Sequence, residues 1–95
     1  MIFQKWLITA SNISKSLDSL SVFECPHCGK KCLDYIYIGD EKTRTGYLQV
    51  WCNDCLNGIY ISRATIPQGA KMLTFDTTED LNKIIPLYHK VTPEE

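Results

Sequence analysis

Phe3, Trp6, Ala10, Ile13, Leu17 and Leu20 recur at alternating spacings of three and four. That rhythm puts them on one stripe of an amphipathic helix over residues 1–20, with Lys5, Ser11, Ser14, Lys15 and Ser19 elsewhere on its surface. Asn12 and the serines lower intrinsic helicity, so Ser11-Asn12 marks a candidate break. Residues 21–75 change period. Residues 33–38 mix aromatic and β-branched side chains and read as a strand. Residues 39–46 form a polar loop bracketed by Gly39 and Gly46, and residues 47–51 read as the returning strand of a hairpin with a long charged tip. A third strand is expected over residues 58–62, a turn at Pro67-Gln68-Gly69, and a fourth strand over residues 71–75. In residues 76–95, Thr77 followed by Asp80 resembles a helix start. Leu81, Ile84 and Ile85 give that short helix an apolar face, and Pro86 ends or kinks it. Residues 92–95 read as a frayed tail.

These 95 residues predict one small α+β domain, of a size that often needs a metal, a disulfide or a partner to stay folded. The start of the chain lacks the basic and apolar regions of a secretory signal. No stretch approaches the roughly 18 apolar residues of a membrane span. The expected location is the cytoplasm, where thiols stay reduced. Net charge is −1, which supplies no global attraction to nucleic acid or to an anionic membrane. Residues 24–71 carry six basic and five acidic side chains, and residues 76–95 carry two basic and five acidic. No membrane partner or small-molecule substrate is implied.

Among five cysteines, four form two C-x-x-C pairs, Cys25-Pro26-His27-Cys28 and Cys52-Asn53-Asp54-Cys55. Two residues between thiolates make a tight turn that aims both sulfurs at one ion. Two such turns at neighbouring strand ends complete a tetrahedron. Four soft thiolates suit one structural Zn2+. Gly29 follows the first pair, where a positive φ is expected, and Asn57-Gly58 is expected to do similar service after the second. The same ligands could hold iron, as in a rubredoxin-like site. A thioredoxin-type dithiol would instead need one C-x-x-C opening a helix in a βαβ unit, and a disulfide framework fits poorly with the absent signal. Cys32 reads as a small buried hydrophobe, with a substitute ligand or a reactive thiol near Lys30 and Lys31 as the alternative. His27 is expected to face outward as a bystander, and His89 to lie on the surface.

The knuckle Cys25-Pro26-His27-Cys28-Gly29-Lys30 with Cys52-Asn53-Asp54-Cys55 resembles the zinc-ribbon superfamily over about residues 23–62. The resemblance implies an antiparallel sheet with one zinc held by Cys25, Cys28, Cys52 and Cys55. It says little about function, since ribbons serve many roles. No Ser-His-Asp or Cys-His signature, phosphate-binding glycine loop or H-E-x-x-H is present, so no catalytic residue is assigned. The leading expectation is a non-enzymatic interaction module or accessory subunit, with a protein partner or a second copy docking on the N-terminal helix. The alternative is a nucleic-acid-binding ribbon using Lys30, Lys31, Lys42, Arg44 and Arg63, with Lys71 beyond them and Tyr35, Tyr37, Tyr47 and Trp51 stacking on bases. Against it, Asp40 and Glu41 share the hairpin tip with Lys42 and Arg44, and phosphate binding needs a dense basic face.

Overall fold

The computed structural model describes residues 2–16, 22–75 and 81–94. Its centre is a hairpin of β1 (Leu33–Asp40) and β2 (Thr45–Cys52), antiparallel and in continuous register from Leu33 opposite Cys52 to Asp40 opposite Thr45. The strands run further than the residue pattern suggests, because the two glycines that bracket the polar stretch in sequence face each other inside the ladder. A side chain on Gly39 would come within 2.4 Å of the Thr45 carbonyl oxygen, and one on Gly46 within 2.2 Å of the Ile38 oxygen. The tip is therefore only residues 41–44. It closes through the Arg44 N–H to the Asp40 carbonyl (2.8 Å) and the Lys42 N–H to the Asp40 carboxylate (2.8 Å).

β3 (Asn57–Thr65) returns antiparallel to β2, with a bulge at residues 62–63 opposite Tyr47. β4 (Met72–Thr74) then pairs parallel to β1, after a turn in which Gly69 takes φ 80° and the Ala70 N–H bonds the Pro67 carbonyl (3.2 Å). A fifth strand, β5 (His89–Lys90), pairs parallel to the start of β3, giving the order β4-β1-β2-β3-β5.

Alternation along the strands sends Leu33, Tyr35, Tyr37, Leu48, Val50, Cys52 and Ile59 to one face. α1 (Ile2–Lys15) covers that face and buries Trp6, Ala10 and Ile13 among them. The helix runs unbroken through Ser11-Asn12, since its buried stripe continues on both sides and tertiary packing outweighs the weak propensity. The rest of the expected stripe, Leu17 and Leu20, lies outside the described residues.

Ile36, Ile38 and Trp51 point to the opposite face, where they pack with Tyr88, and Tyr47, Leu73 and Ile85 lie against them. The C-terminal segment covers this face, although the residue pattern predicts no more of it than a short helix before Pro86. What forms is one helical turn, α2 (Leu81–Ile84), and then extended chain. The proposed helix start, Thr77 to Asp80, lies outside the described residues. Beyond Pro86, Tyr88 stacks on Trp51 (ring centroids 6.1 Å apart, 25° between planes) and donates its hydroxyl to the Gln49 side-chain oxygen at 2.7 Å. Burial of this phenol raises its pKa, keeping it a donor. The His89 and Val91 N–H groups bond the carbonyls of Leu56 (2.9 Å) and Gly58 (2.8 Å). Gly58 makes this approach feasible, because a Cβ there would lie 2.8 Å from two Tyr88 ring carbons. Among the described residues no helix is long and apolar enough to cross a membrane.

Candidate metal centre

Two loops meet at the open end of the β1–β2 hairpin. One follows α1 and leads into β1; the other joins β2 to β3. The first carries Cys25 and Cys28, the second Cys52 and Cys55, and their four sulfurs lie within 4.8 Å of one another. The loops repeat one hydrogen-bond pattern. The Gly29 N–H bonds the Cys25 carbonyl (2.9 Å) as the Leu56 N–H bonds that of Cys52 (3.0 Å). The His27 N–H points at the Cys25 sulfur (3.3 Å) as the Asp54 N–H does at that of Cys52 (3.4 Å). Each backbone N–H supplies positive charge density where a thiolate would carry negative charge.

The residue after each pair takes a positive φ, 76° at Gly29 and 57° at Leu56. The second value corrects the expectation for Asn57-Gly58. Those residues already belong to β3, and the left-handed turn falls one position earlier, on a leucine. Asn57 instead turns its side-chain amide toward the Cys55 carbonyl at 3.5 Å.

Sulfur separations are 3.6 Å for Cys25 with Cys55 and for Cys28 with Cys52, far beyond a disulfide bond, and all five cysteines are free. A tetrahedral ion with metal–sulfur bonds of about 2.3 Å needs sulfurs about 3.8 Å apart, so the four residues fit such a group. Cys25 and Cys52 are buried, and Cys28 and Cys55 lie nearer solvent. Burial pushes the Cys25 thiol up to about 12 and raises Cys52 as well. Burial also raises Cys55, but hydrogen bonds from the Asn57 side chain and backbone, together with those from the Cys25 and Cys52 thiols, outweigh it and hold that thiol at about 7. Two buried, reluctant thiols beside one willing one form a site that ionises fully only when a cation compensates the charge.

Cys32 is exposed, not the buried hydrophobe expected, and it lies outside the four-sulfur cluster. Its carbonyl accepts the Asn53 N–H (2.8 Å) and so ties the start of β1 to the second loop. His27 has a structural task that sequence reasoning missed: its Nδ1 accepts the indole N–H of the fully buried Trp6 at 2.9 Å. No local signal joins residues so far apart in sequence. His89 is exposed at the sheet edge.

The basic candidates are not brought together. Lys30 pairs with Asp54 at 3.1 Å beside the cysteines, and that carboxylate raises its pKa. Lys31 is exposed nearby, while exposed Lys42 sits at the other end of β1, about 23 Å away along the strand. Arg44, expected as a free cation at the tip, is half-buried: its guanidinium donates to the carbonyls of Pro67 (2.7 Å) and Ile66 (3.3 Å) and pins the loop after β3. Arg63 is exposed in the bulge of β3, and Lys71 pairs with Asp34 at 2.7 Å. Of the four aromatics considered for stacking, Tyr35, Tyr37 and Trp51 are buried. Tyr47 is half-buried and packs on Tyr60, with ring centroids 5.2 Å apart.

Comparison with protein-family models, with curated proteins and with solved structures finds no match for this chain.

Proposed function

We propose that this chain is a zinc-ribbon protein without catalytic activity, which offers a metal-stiffened sheet to a protein partner in the reducing cytoplasm. The observation that carries the reading is the closed cluster of Cys25, Cys28, Cys52 and Cys55. Four protein sulfurs fill a tetrahedron and leave no position for a reacting water, the mark of a structural ion. Zinc is the ion we assign, because it suits four soft donors with no redox chemistry of its own.

A protein partner is favoured over nucleic acid by the disposition of charge and apolar surface. The lysines and arginines are spread along the sheet, and several are already engaged by Asp54, Asp34 or backbone carbonyls. Phosphate recognition draws on clustered, free cations. Large apolar side chains do reach solvent: Leu7 on the flank of α1 beside β3, Ile8 on the flank beside Cys25 and Pro26, Tyr60 and Phe75 against Tyr47 on the other face of the sheet, and Leu87 after Pro86. Trp6, at the centre of the helical stripe, is wholly buried and cannot meet a partner. Any docking on α1 falls to Leu7 and Ile8.

Native mass spectrometry with elemental analysis tests the first half, with one zinc per folded chain expected. A metal-free folded protein would end the reading. Crosslinking in the native cell, compared with a Leu7→Ser, Ile8→Ser double variant and an Arg63→Glu variant, tests the second half. Oligonucleotide binding with a steep salt dependence, without a reproducible protein crosslink, would replace the partner by nucleic acid.

A further inference from the structure

We infer that the outer edge of β3 receives an extended acidic peptide segment of a partner protein as an added strand. The inference rests on the protein-binding reading above and names the partner's chemistry. β3 is nine residues long, but β5 covers only Asn57 and Gly58. The carbonyls of Leu56 and Gly58 point outward to His89 and Val91. By alternation, the N–H and C=O of Tyr60 are the next pair on that edge. Among the described residues no backbone group bonds the outer edge of β3 past Gly58. What such an edge accepts is another extended backbone.

Side-chain sites flank the edge on both faces. Toward α1 there is a hollow of about 300 Å³, lined by Leu7, Ala10, Tyr37, Leu48, Ile61 and Ala64. On the other face Tyr60 is 40% exposed, and Phe75, which follows β4 on the far side of the sheet, reaches across to line a hollow with Ser62, Arg63, Ala64 and Thr65. Alternate side chains of an added strand would fall to these two sides in turn.

Charge selects the occupant. β3 and β5 contain no acidic residue, and the edge carries exposed Arg63 together with Lys90, whose ammonium lies 5.3 Å from the centre of the Tyr60 ring. A second copy pairing edge to edge would set these cations against themselves, and the bulge at residues 62–63 twists the edge away from flat self-pairing. An acidic strand meets neither obstacle.

The probe is a fluorescein-labelled decapeptide of alternating valine and glutamate, titrated into zinc-loaded protein. Saturable binding is expected, with slowed amide exchange at residues 60–65 and a loss of affinity of about tenfold or more in Arg63→Glu. An alternating valine and lysine peptide should prefer that variant, which separates lost charge from lost fold. A valine and glutamate peptide with prolines at two consecutive central residues should bind poorly, since one of the two loses an N–H that faces β3. No binding, or protection confined to other residues, overturns the inference. So does concentration-dependent dimerisation that already protects residues 60–65. If the Arg63→Glu protein keeps its cellular crosslink while the peptide fails, the edge assignment falls and the protein-binding reading stands.

Discussion

Leu56 sits at φ 57° and is 41% exposed. A left-handed backbone costs a leucine about 1–2 kcal/mol, and the apolar contact it makes in return is partial. Replacing it by glycine removes the strain, at the cost of more freedom in the unfolded chain. Leu56→Gly is expected to stabilise the metal-loaded protein by about 0.5 kcal/mol. Gly29→Ala at the matching position should destabilise by about 1–2 kcal/mol. No heavy atom lies within 4 Å of the Cβ it would gain, so that cost is backbone alone. Urea unfolding of both variants checks the opposite signs.

The thiols make metal binding depend on pH. With Cys25 raised to about 12 and Cys52 raised in the metal-free fold, both carry protons near pH 8. Both must release them when a cation binds. Affinity should therefore fall as pH falls, by at least about 100-fold per unit, tenfold for each of these two protons. Below pH 7 the dependence should steepen as Cys55, held at about 7, also becomes protonated. The metal-free fold has the converse weakness. A raised thiol contributes stability that is lost as pH climbs from its ordinary value of 9.0 toward about 12. Chelator competition across pH 6–8, and melting of metal-free protein at pH 8 and 10, read the two signs.

At the scale of elements, the C-terminal segment is where packing overrides local pattern. Gly58 admits the Tyr88 ring, and Tyr88 in turn covers Trp51 and bonds Gln49. Gly58→Ala would drive a methyl into that ring and into the Val50 carbonyl 2.3 Å away. A loss of about 2–3 kcal/mol is expected, with a weakened near-ultraviolet signal from Trp51. An unchanged melting curve would show that β5 contributes little. The same contacts explain what the chain leaves illegible. The C-x-x-C turns are local, so spacing alone reveals them, and the β-branched and aromatic runs reveal β1, β2 and β3. The two residues of β5 have no period of their own and pair only because Gly58 and Tyr88 fit. The run Ile36, Tyr37, Ile38 is buried throughout because α1 covers one side and the C-terminal segment the other. Arg44 looks like a solvated turn residue until its guanidinium meets carbonyls of a loop formed much later in the chain.

For the molecule as a whole, the two cysteine loops are not equivalent. The second is held by the sheet, since Trp51 and Gly58 pair on either side of it. The first lies outside every strand. Its own turn bonds and one link from Asn53 to Cys32 are the backbone ties described for it. A bound ion would join Cys25 and Cys28 to the sheet and so fix His27, whose ring accepts the buried indole of α1. The apparent binding free energy of such sites, about 10–16 kcal/mol, matches or exceeds the total stability of a small domain, about 5–15 kcal/mol. Removing the metal should then release the first loop and α1 before the hairpin. In a Trp51→Phe background, which leaves Trp6 as the sole tryptophan, chelation is expected to shift emission to the red. Far-ultraviolet helical signal should fall, while amides of β1 and β2 stay protected from exchange. Retained blue emission and full helicity without metal would show that α1 docks on the sheet unaided, and that the four thiols stabilise only their own loops.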